Sequence, residues 1–412
     1  LVLNSDYCAE ELSKKLNMSN RNVTMKNNNL FCVMLLLLTV FDLNAQKVQY
    51  SGNPLFKGIF TADPCALVYK DTLYVFTGHD EQTQSGKSFL MRDWYVFSSA
   101  DMVNWTNHGT RLKAGDFSWA SGNAFAGHVV EHNGKFWWYV SVTHKSIKVG
   151  EGFSIGVAVA DHPLGPYKDV GHPLITDKTA NSVTLNIDPA VYIDNGTPWL
   201  FWGSWSAARM VRLKNSMTEL DGAVETVNAK EFFEAPWIHK KDNLYYLSYA
   251  SGYPSTTKYC TGTSIKGPWT YRGIINDLID NSETNHQAII EFKGNWYFIY
   301  HNGGLPGGGT YRRSVCIDKL EYNNDGTIKK VIRTTTGVPG IPTVDITDNF
   351  ADKNQLAPSE RASKQKVVLT ANTDSYGDIL QRKSIFSISG IKLTKKLSSV
   401  PGVYIQVDRK TD

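Results

Sequence analysis

The sequence predicts an all-β fold, a five-bladed β-propeller with a short β-rich C-terminal appendage, and three observations carry that prediction. A strand–turn–strand unit first met over 61–76 returns four times, with turn residues Asp71, Gly134, Gly196, Asp242 and Gly294. An aromatic stands three residues beyond each turn residue: Tyr74, Trp137, Trp199, Tyr245 and Tyr297. The repeat intervals of 63, 62, 46 and 52 residues are blade-sized. Five such units with almost no long helical periodicity favour a radial arrangement over a sandwich.

Taken in order, residues 1–24 are polar and unpatterned, and read as an upstream extension. Residues 25–46 read as a secretory signal peptide: Met25-Lys26 is a basic start, Leu30 to Phe41 an apolar run, and Ala45 a small residue for cleavage. That run of 12 residues is too short for an ordinary membrane span. The propeller is expected over 48–344, its strands being β-branched and aromatic runs bounded by Gly, Asn, Asp and Lys. Examples are 136–140, 199–203, 244–249 and 296–300. Gly303 to Gly309 lacks the following Lys-Ser or Lys-Thr of a phosphate-cradling loop and reads as a rim loop. Residues 345–370 read as a linker. The stretch 371–412 alternates like strands and resembles the C-terminal sorting-like domain of secreted Bacteroidetes proteins, cut short after Asp412.

Composition narrows the function. The net charge of +4 comes from 43 basic and 39 acidic residues with no basic stripe, which argues against nucleic-acid binding. Cys65, Cys260 and Cys316 fit no metal spacing and read as buried free thiols, although a Cys65–Cys316 bridge between first and last blades is geometrically open. Neither a zincin motif nor a nucleophile elbow is present. Aromatics make up 12% of the chain, with 11 Trp and 20 Tyr, which suits flat rings packing on sugar faces as well as β cores.

The position eight residues before each turn residue holds Asp63, Ala126, Asp188, Glu234 and His286. If the first strand of every blade lines the axis, three carboxylates and an imidazole meet at one end of the channel. One carboxylate can activate water, one can donate a proton, and a third can shift its neighbour's proton affinity. Those are the needs of glycoside hydrolysis.

On these residues the chain resembles glycoside hydrolase family 43, five-bladed propeller enzymes acting on arabinose- and xylose-containing glycans, over about residues 50–342. Ala62-Asp63-Pro64 resembles the family's base motif, Ile187-Asp188-Pro189-Ala190 its modulator motif, and Glu234-Ala235-Pro236 its general-acid motif. The resemblance implies a channel calcium ion or water cluster near His286, and a sugar-contacting arginine at Arg313, with Arg312 adjacent. Where the family commonly has Trp in the second blade this chain has Phe125. His79, Asp80, Trp119, Phe125, Trp205 and Arg313 are the expected substrate-binding residues.

The implied activity is exo-acting, inverting release of terminal α-L-arabinofuranosyl or β-D-xylosyl units from plant cell-wall polysaccharide or oligosaccharide. An endo-α-1,5-L-arabinanase and a non-catalytic carbohydrate-binding propeller are the alternatives. The expected location is secreted or periplasmic, with the cell surface of a Bacteroidetes-like bacterium as the alternative, and the tail is addressed to secretion machinery. No cofactor is expected for the chemistry and no integral membrane association.

Overall fold

The computed structural model describes residues 46–50, 52–279 and 281–341, together with four short strands between 366 and 407. The chain divides into two units, Leu1–Thr343 and Val344–Asp412. The first is a ring of five antiparallel sheets. Blade 1 holds β1 (Gln46–Gln49), β2 (Thr61–Tyr69), β3 (Thr72–His79), β4 (Asp93–Ser99) and β5 (Asn104–Lys113), in the order β1-β5-β4-β3-β2. Blade 2 holds β6 (Ala120–His132), β7 (Lys135–His144), β8 (Phe153–Ala160) and β9 (Lys168–Asp169). Blade 3 holds β10 (Ala190–Asp194), β11 (Thr197–Ser204), β12 (Ala207–Arg212) and β13 (Glu225–Val227). Blade 4 holds β14 (Glu234–Lys241), β15 (Leu244–Ser251), β16 (Thr256–Gly262) and β17 (Thr270–Asn276). Blade 5 holds β18 (Ala288–Phe292), β19 (Asn295–Asn302) and β20 (Ser314–Leu320).

The blades form where the sequence places its repeat, because each first hairpin closes through a two-residue loop. In blade 1, Tyr69 pairs with Thr72 across Lys70 (φ 47°) and Asp71 (φ 58°). Asn133-Gly134, Asn195-Gly196 and Lys293-Gly294 close blades 2, 3 and 5 with two positive φ values each, the geometry that matches strand twist. Blade 4 differs. Lys241 pairs with Leu244, so its loop is Asp242-Asn243 and the turn residue Asp242 is the first loop position rather than the second.

Packing between blades is apolar with a polar tie at each boundary. Phe56 stacks on Phe97 at 3.6 Å, and Trp94 and Trp138 meet at 6.0 Å. The Cys65 thiol accepts the Val129 N–H (3.2 Å), joining blades 1 and 2. The Tyr139 hydroxyl donates to the Met217 carbonyl (2.7 Å), the Tyr245 hydroxyl to Asp194 (2.6 Å), and the Trp237 indole to the Ile289 carbonyl (3.0 Å). Blade 5 has three strands, and the segment before β2 runs along its open edge. Leu55 N–H donates to Val315 O (2.7 Å), and Asn53 both accepts Ile317 N–H (2.9 Å) and donates to Ile317 O (3.1 Å). This closes the ring between the first and last blades. Cys65, Cys260 and Cys316 are free and buried, so no bridge joins Cys65 to Cys316.

The second unit is described only by Lys366–Leu369, Ser387–Ile388, Ile391–Lys395 and Val403–Val407, an antiparallel sheet; we number these strands β21 to β24. β21 falls inside the stretch read as linker. The upstream extension, and the leader apart from Gln46, lie outside the described residues. Among the described residues no helix is long and apolar enough to cross a membrane.

Candidate active site

Each axial residue sits at the entry of its blade. Asp63 lies inside β2, Asp188 two residues before β10, Glu234 opens β14 and His286 stands two residues before β18. The strands do not run evenly here. Register breaks between Ala62 and Cys65 in β2, between Ala124 and Gly127 in β6, and between Glu234 and Trp237 in β14. Such bulges re-aim side chains and bend the strand. Asp63 (φ 48°), Asp188 (φ 58°) and Ala235 (φ 55°) all take the left-handed backbone that residues with a Cβ avoid.

That triplet corrects the repeat reading. Counted from the second loop position of blade 4, the residue in phase with Asp63 and Asp188 is Ala235. Glu234 stands one residue ahead, and its carboxylate reaches the site from a different point on the bulge. Ala126, the unchanged position in blade 2, is buried and offers its carbonyl to Ser141.

The carboxylates are gathered around one guanidinium. Arg313 is buried and donates from Nη1 to Asp63 Oδ1 (2.8 Å) and to the Thr284 hydroxyl (3.4 Å). Its Nε and Nη2 donate to Asp80 Oδ2 and Oδ1 (2.8 and 2.9 Å), and its backbone N–H donates to Asp80 Oδ2 (2.8 Å). Asp188 Oδ2 accepts the Ala235 N–H (3.1 Å), and Glu234 Oε2 accepts the Ser204 hydroxyl (3.0 Å). His286 Nδ1 lies 3.7 Å and His301 Nδ1 3.5 Å from Asp63 Oδ1.

Burial raises the proton affinity of all three carboxyls. For Asp63 it outweighs the opposing pull of Arg313. For Asp188 burial comes first, followed by the charges of Glu234 and Asp63, and the carboxyl is pushed well above its ordinary range. Glu234 is raised to about 7, by burial first and then by Asp63, against the Ser204 hydrogen bond and Arg313. Asp188 and Glu234 titrate as a pair, and the pair keeps a proton toward neutral pH. Burial holds His286 down to about 3 with Arg313 adding to it, so its imidazole is neutral.

The expected sugar contacts divide. Trp205 is 53% exposed in the turn after Ser204, which binds Glu234, so its ring stands free on the rim. Phe125 packs on Phe153 (4.3 Å) and, edge-on, near Phe89 (6.1 Å). Asp80 is not open to a sugar, because Arg313 takes both its oxygens and it is 2% exposed. Trp119 is 9% exposed between Phe117, His144 and the backbone at Gly156; it is a packing residue and offers no sugar platform. His79 is turned to Asp93 (2.9 Å) and Tyr95, with its proton affinity raised by Asp93 against burial.

Two further residues at the site carry no sequence signal. Phe89 lies under the Arg313 guanidinium (4.7 Å) and meets Tyr311 edge-on (4.8 Å). Tyr253 is 51% exposed, donates to Glu283 (2.8 Å) and feels the charge of Glu234. Both come from loops outside the repeat, so no spacing marks them. Beside them a groove runs between the β3–β4 loop and the glycine-rich rim loop, lined by Gln82, Thr83, Gly308, Tyr311 and Arg312.

As a metal ligand His286 supplies one neutral nitrogen, and a hard cation there would need water and carbonyl oxygens for most of its shell. Among the described residues, the group with mutually close ligand atoms is elsewhere, at His79, Glu81 and Asp93. Its members are already paired, His79 with Asp93 and Glu81 with Arg92.

Comparison with known proteins agrees with this fold. The chain is 32% identical over 343 residues to an arabinoxylan arabinofuranohydrolase of Bacillus subtilis, covering 71% of this chain and 66% of that relative's length. It is 31% identical over 322 residues to a xylosidase/arabinosidase of Bacteroides ovatus, covering 66% and 95%. The solved structure of a β-xylosidase/α-arabinofuranosidase from a compost microbial metagenome, with xylotriose and in a calcium-free form, superposes with a TM-score of 0.61. That match has 30% identity and covers 69% of this chain and 98% of the other. The sequence model described as Glycosyl hydrolases family 43 matches residues 51–328, and with the five blades and their axial carboxylates in place, the chain belongs to that family of enzymes acting on glycosidic bonds.

Proposed function

We propose that this protein is an exo-acting glycoside hydrolase that removes terminal α-L-arabinofuranosyl or β-D-xylosyl units from xylan-type plant cell-wall glycans with inversion. The observation that carries the reading is the gathering of buried Asp63 and Asp188 and half-buried Glu234 near Arg313, with the proton affinity of all three raised. A binding propeller has no use for three carboxyls whose burial destabilises their charged forms. The names of the relatives support the sugar class.

In this reading Asp63 is the base. Arg313 favours its ionised form, and the carboxylate takes a proton from water as that water attacks the anomeric carbon. Glu234 begins protonated and donates to the departing oxygen. Asp188 shares the pair's proton and holds the Ala235 backbone behind Glu234. Burial, more than the Asp188 charge, keeps Glu234 protonated. Trp205 and Tyr253 offer exposed rings to the sugar faces or the departing chain.

Proton NMR of the first product, read before mutarotation, tests the chemistry. Inverted configuration is expected, and initial retention would refute the single-step mechanism. Glu234→Gln should hurt aryl glycosides with poor leaving groups most, whereas Asp63→Asn should hurt all alike. Product lengths from arabinan and arabinoxylan separate exo from endo action, with single sugars expected.

A calcium ion at His286, serving structure, belongs to the same proposal. It is supported by the neutral imidazole, and thermal unfolding with and without calcium tests it, an unmoved midpoint counting against it. Export through a leader at 25–46, to a secreted or periplasmic place, is supported by its basic, apolar and small-residue order. A native mature chain retaining Met25 would sink that part. The tail as an address for secretion machinery would fall if its deletion left export unchanged.

A further inference from the structure

The two axial aspartates share a strained backbone, and the repeat supplies a matching support. Asp63 N–H donates to His301 Nδ1 (3.2 Å), and Asp188 N–H donates to the Ser141 hydroxyl (2.9 Å). Ser141 stands seven residues beyond Gly134, and His301 seven beyond Gly294. Both lie on the second strand of the blade that precedes the aspartate around the ring, Ser141 on β7 for Asp188 and His301 on β19 for Asp63. Both side chains are fully buried. The corresponding residues in blades 1 and 3 are Gly78 and Gly203; the blade after Gly78 presents Ala126, which has no positive φ, whereas the blade after Gly203 presents Ala235 (φ 55°), whose N–H goes to the Asp188 carboxylate (3.1 Å) instead of to a side chain on the preceding blade's second strand.

We propose that Ser141 and His301 are positioning residues, each accepting the backbone N–H of the next blade's aspartate and so holding Asp188 and Asp63 in the left-handed conformation that aims their carboxylates at the site. This rests on the hydrolase reading for its consequences in catalysis. The hydrogen bonds fix the chemistry of each support. Ser141 donates its own proton to the Ala126 carbonyl (2.9 Å), leaving its lone pairs to Asp188. His301 must leave Nδ1 bare and carry its proton on Nε2, which faces the Thr284 carbonyl at 3.0 Å. Burial and the nearby Arg313 keep that ring neutral, as an acceptor must be. Without its acceptor, each buried N–H would be orphaned in a conformation that is already unfavourable. The backbone would relax toward the strand region and swing the carboxylate away.

Paired substitutions separate this role from general packing. His301→Asn keeps an acceptor near the Nδ1 position, whereas His301→Gln keeps a donor near Nε2 and leaves Asp63 N–H without one. Ser141→Thr keeps the hydroxyl, whereas Ser141→Ala removes it. On aryl glycosides, His301→Gln and Ser141→Ala should lose roughly ten- to a hundredfold in kcat with KM within about twofold. His301→Asn and Ser141→Thr should recover most of that loss. If kcat per folded molecule in both disabling variants stays within about threefold of the parent, the proposal fails.

The parent protein offers a test that needs no variant to fold. Nitrogen-15 NMR of its histidines should show His301 protonated at Nε2 and bare at Nδ1, and a proton on Nδ1 would overturn the proposal. That measurement also stands if the parent hydrolyses no glycoside, an outcome that would instead refute the hydrolase reading.

Discussion

Glu234 shows what one half-buried, desolvated carboxyl means for the molecule. Its folded-state proton affinity is raised from 4.5 to about 7, so folding favours the protonated form. Below the unfolded value the folded state loses nothing. As pH rises through 7 the charge must be held in a buried place, and the protein is destabilised relative to a neutral analogue. Glu234→Gln should therefore raise the thermal midpoint at pH 8, by up to about 3 kcal/mol in stability, and leave it unchanged near pH 4. Calorimetry at the two values checks the sign. Equal effects at both would mean that the gain does not come from the charge.

Among elements, the β14 bulge is the most sensitive. Ala235 has a positive φ of 55°, is 1% exposed, and is tied on both sides. Its N–H goes to Asp188, and its carbonyl accepts Gln287 Nε2 (2.9 Å). A β-branched side chain suits this backbone poorly. Ala235→Val should cost about 1–3 kcal/mol and lower kcat, whereas Ala235→Gly should keep the fold. Thermal unfolding and kcat for the two variants decide it, and a fully active, stable Val variant would count against the strain.

The hairpins themselves were legible, because two-residue loops with Asn, Asp and Gly and alternating apolar strands are local features. The bulges were not. A bulge is a register shift between two strands, and nothing within one strand records which of its residues is left unpaired. The one-residue offset of Glu234 follows from that. Its context of Glu-Ala-Pro is visible in sequence, but counting back from Asp242 treats every turn as placing its marker alike, and the blade 4 turn does not.

At the scale of the whole molecule, the ring depends on closing blade 5 with a segment 260 or more positions away in sequence. Asn53 is the latch. Its side chain donates to Ile317 O, Asp318 Oδ2 and Thr334 O and accepts Ile317 N–H. Asn53→Ala should lower stability by about 2–4 kcal/mol, taking roughly 1 kcal/mol for each hydrogen bond. Hydrogen exchange should show the loss first along β20, the strand it holds. Uniform loss of protection across all five blades would mean that Asn53 does not act as a local latch.

The sequence by itself determined the five blades, the axial carboxylates and the family, because strand periodicity, tight turns and short motifs are written in neighbouring residues. Only the tertiary structure decided which of the candidate side chains stand open and which are paired or packed. Asp80 and Arg313 are 233 positions apart, and their pairing occupies both Asp80 oxygens and makes Asp80 the support of Arg313. Trp119 and Trp205 are both tryptophans beside strands, yet one is packed on Gly156 and the other stands in solvent. His301 and Ser141 carry no motif, since their partners are backbone N–H groups of the next blade, and a backbone group has no signature in sequence. Local periodicity sets the strands. The neighbour around the ring sets what each axial residue can do.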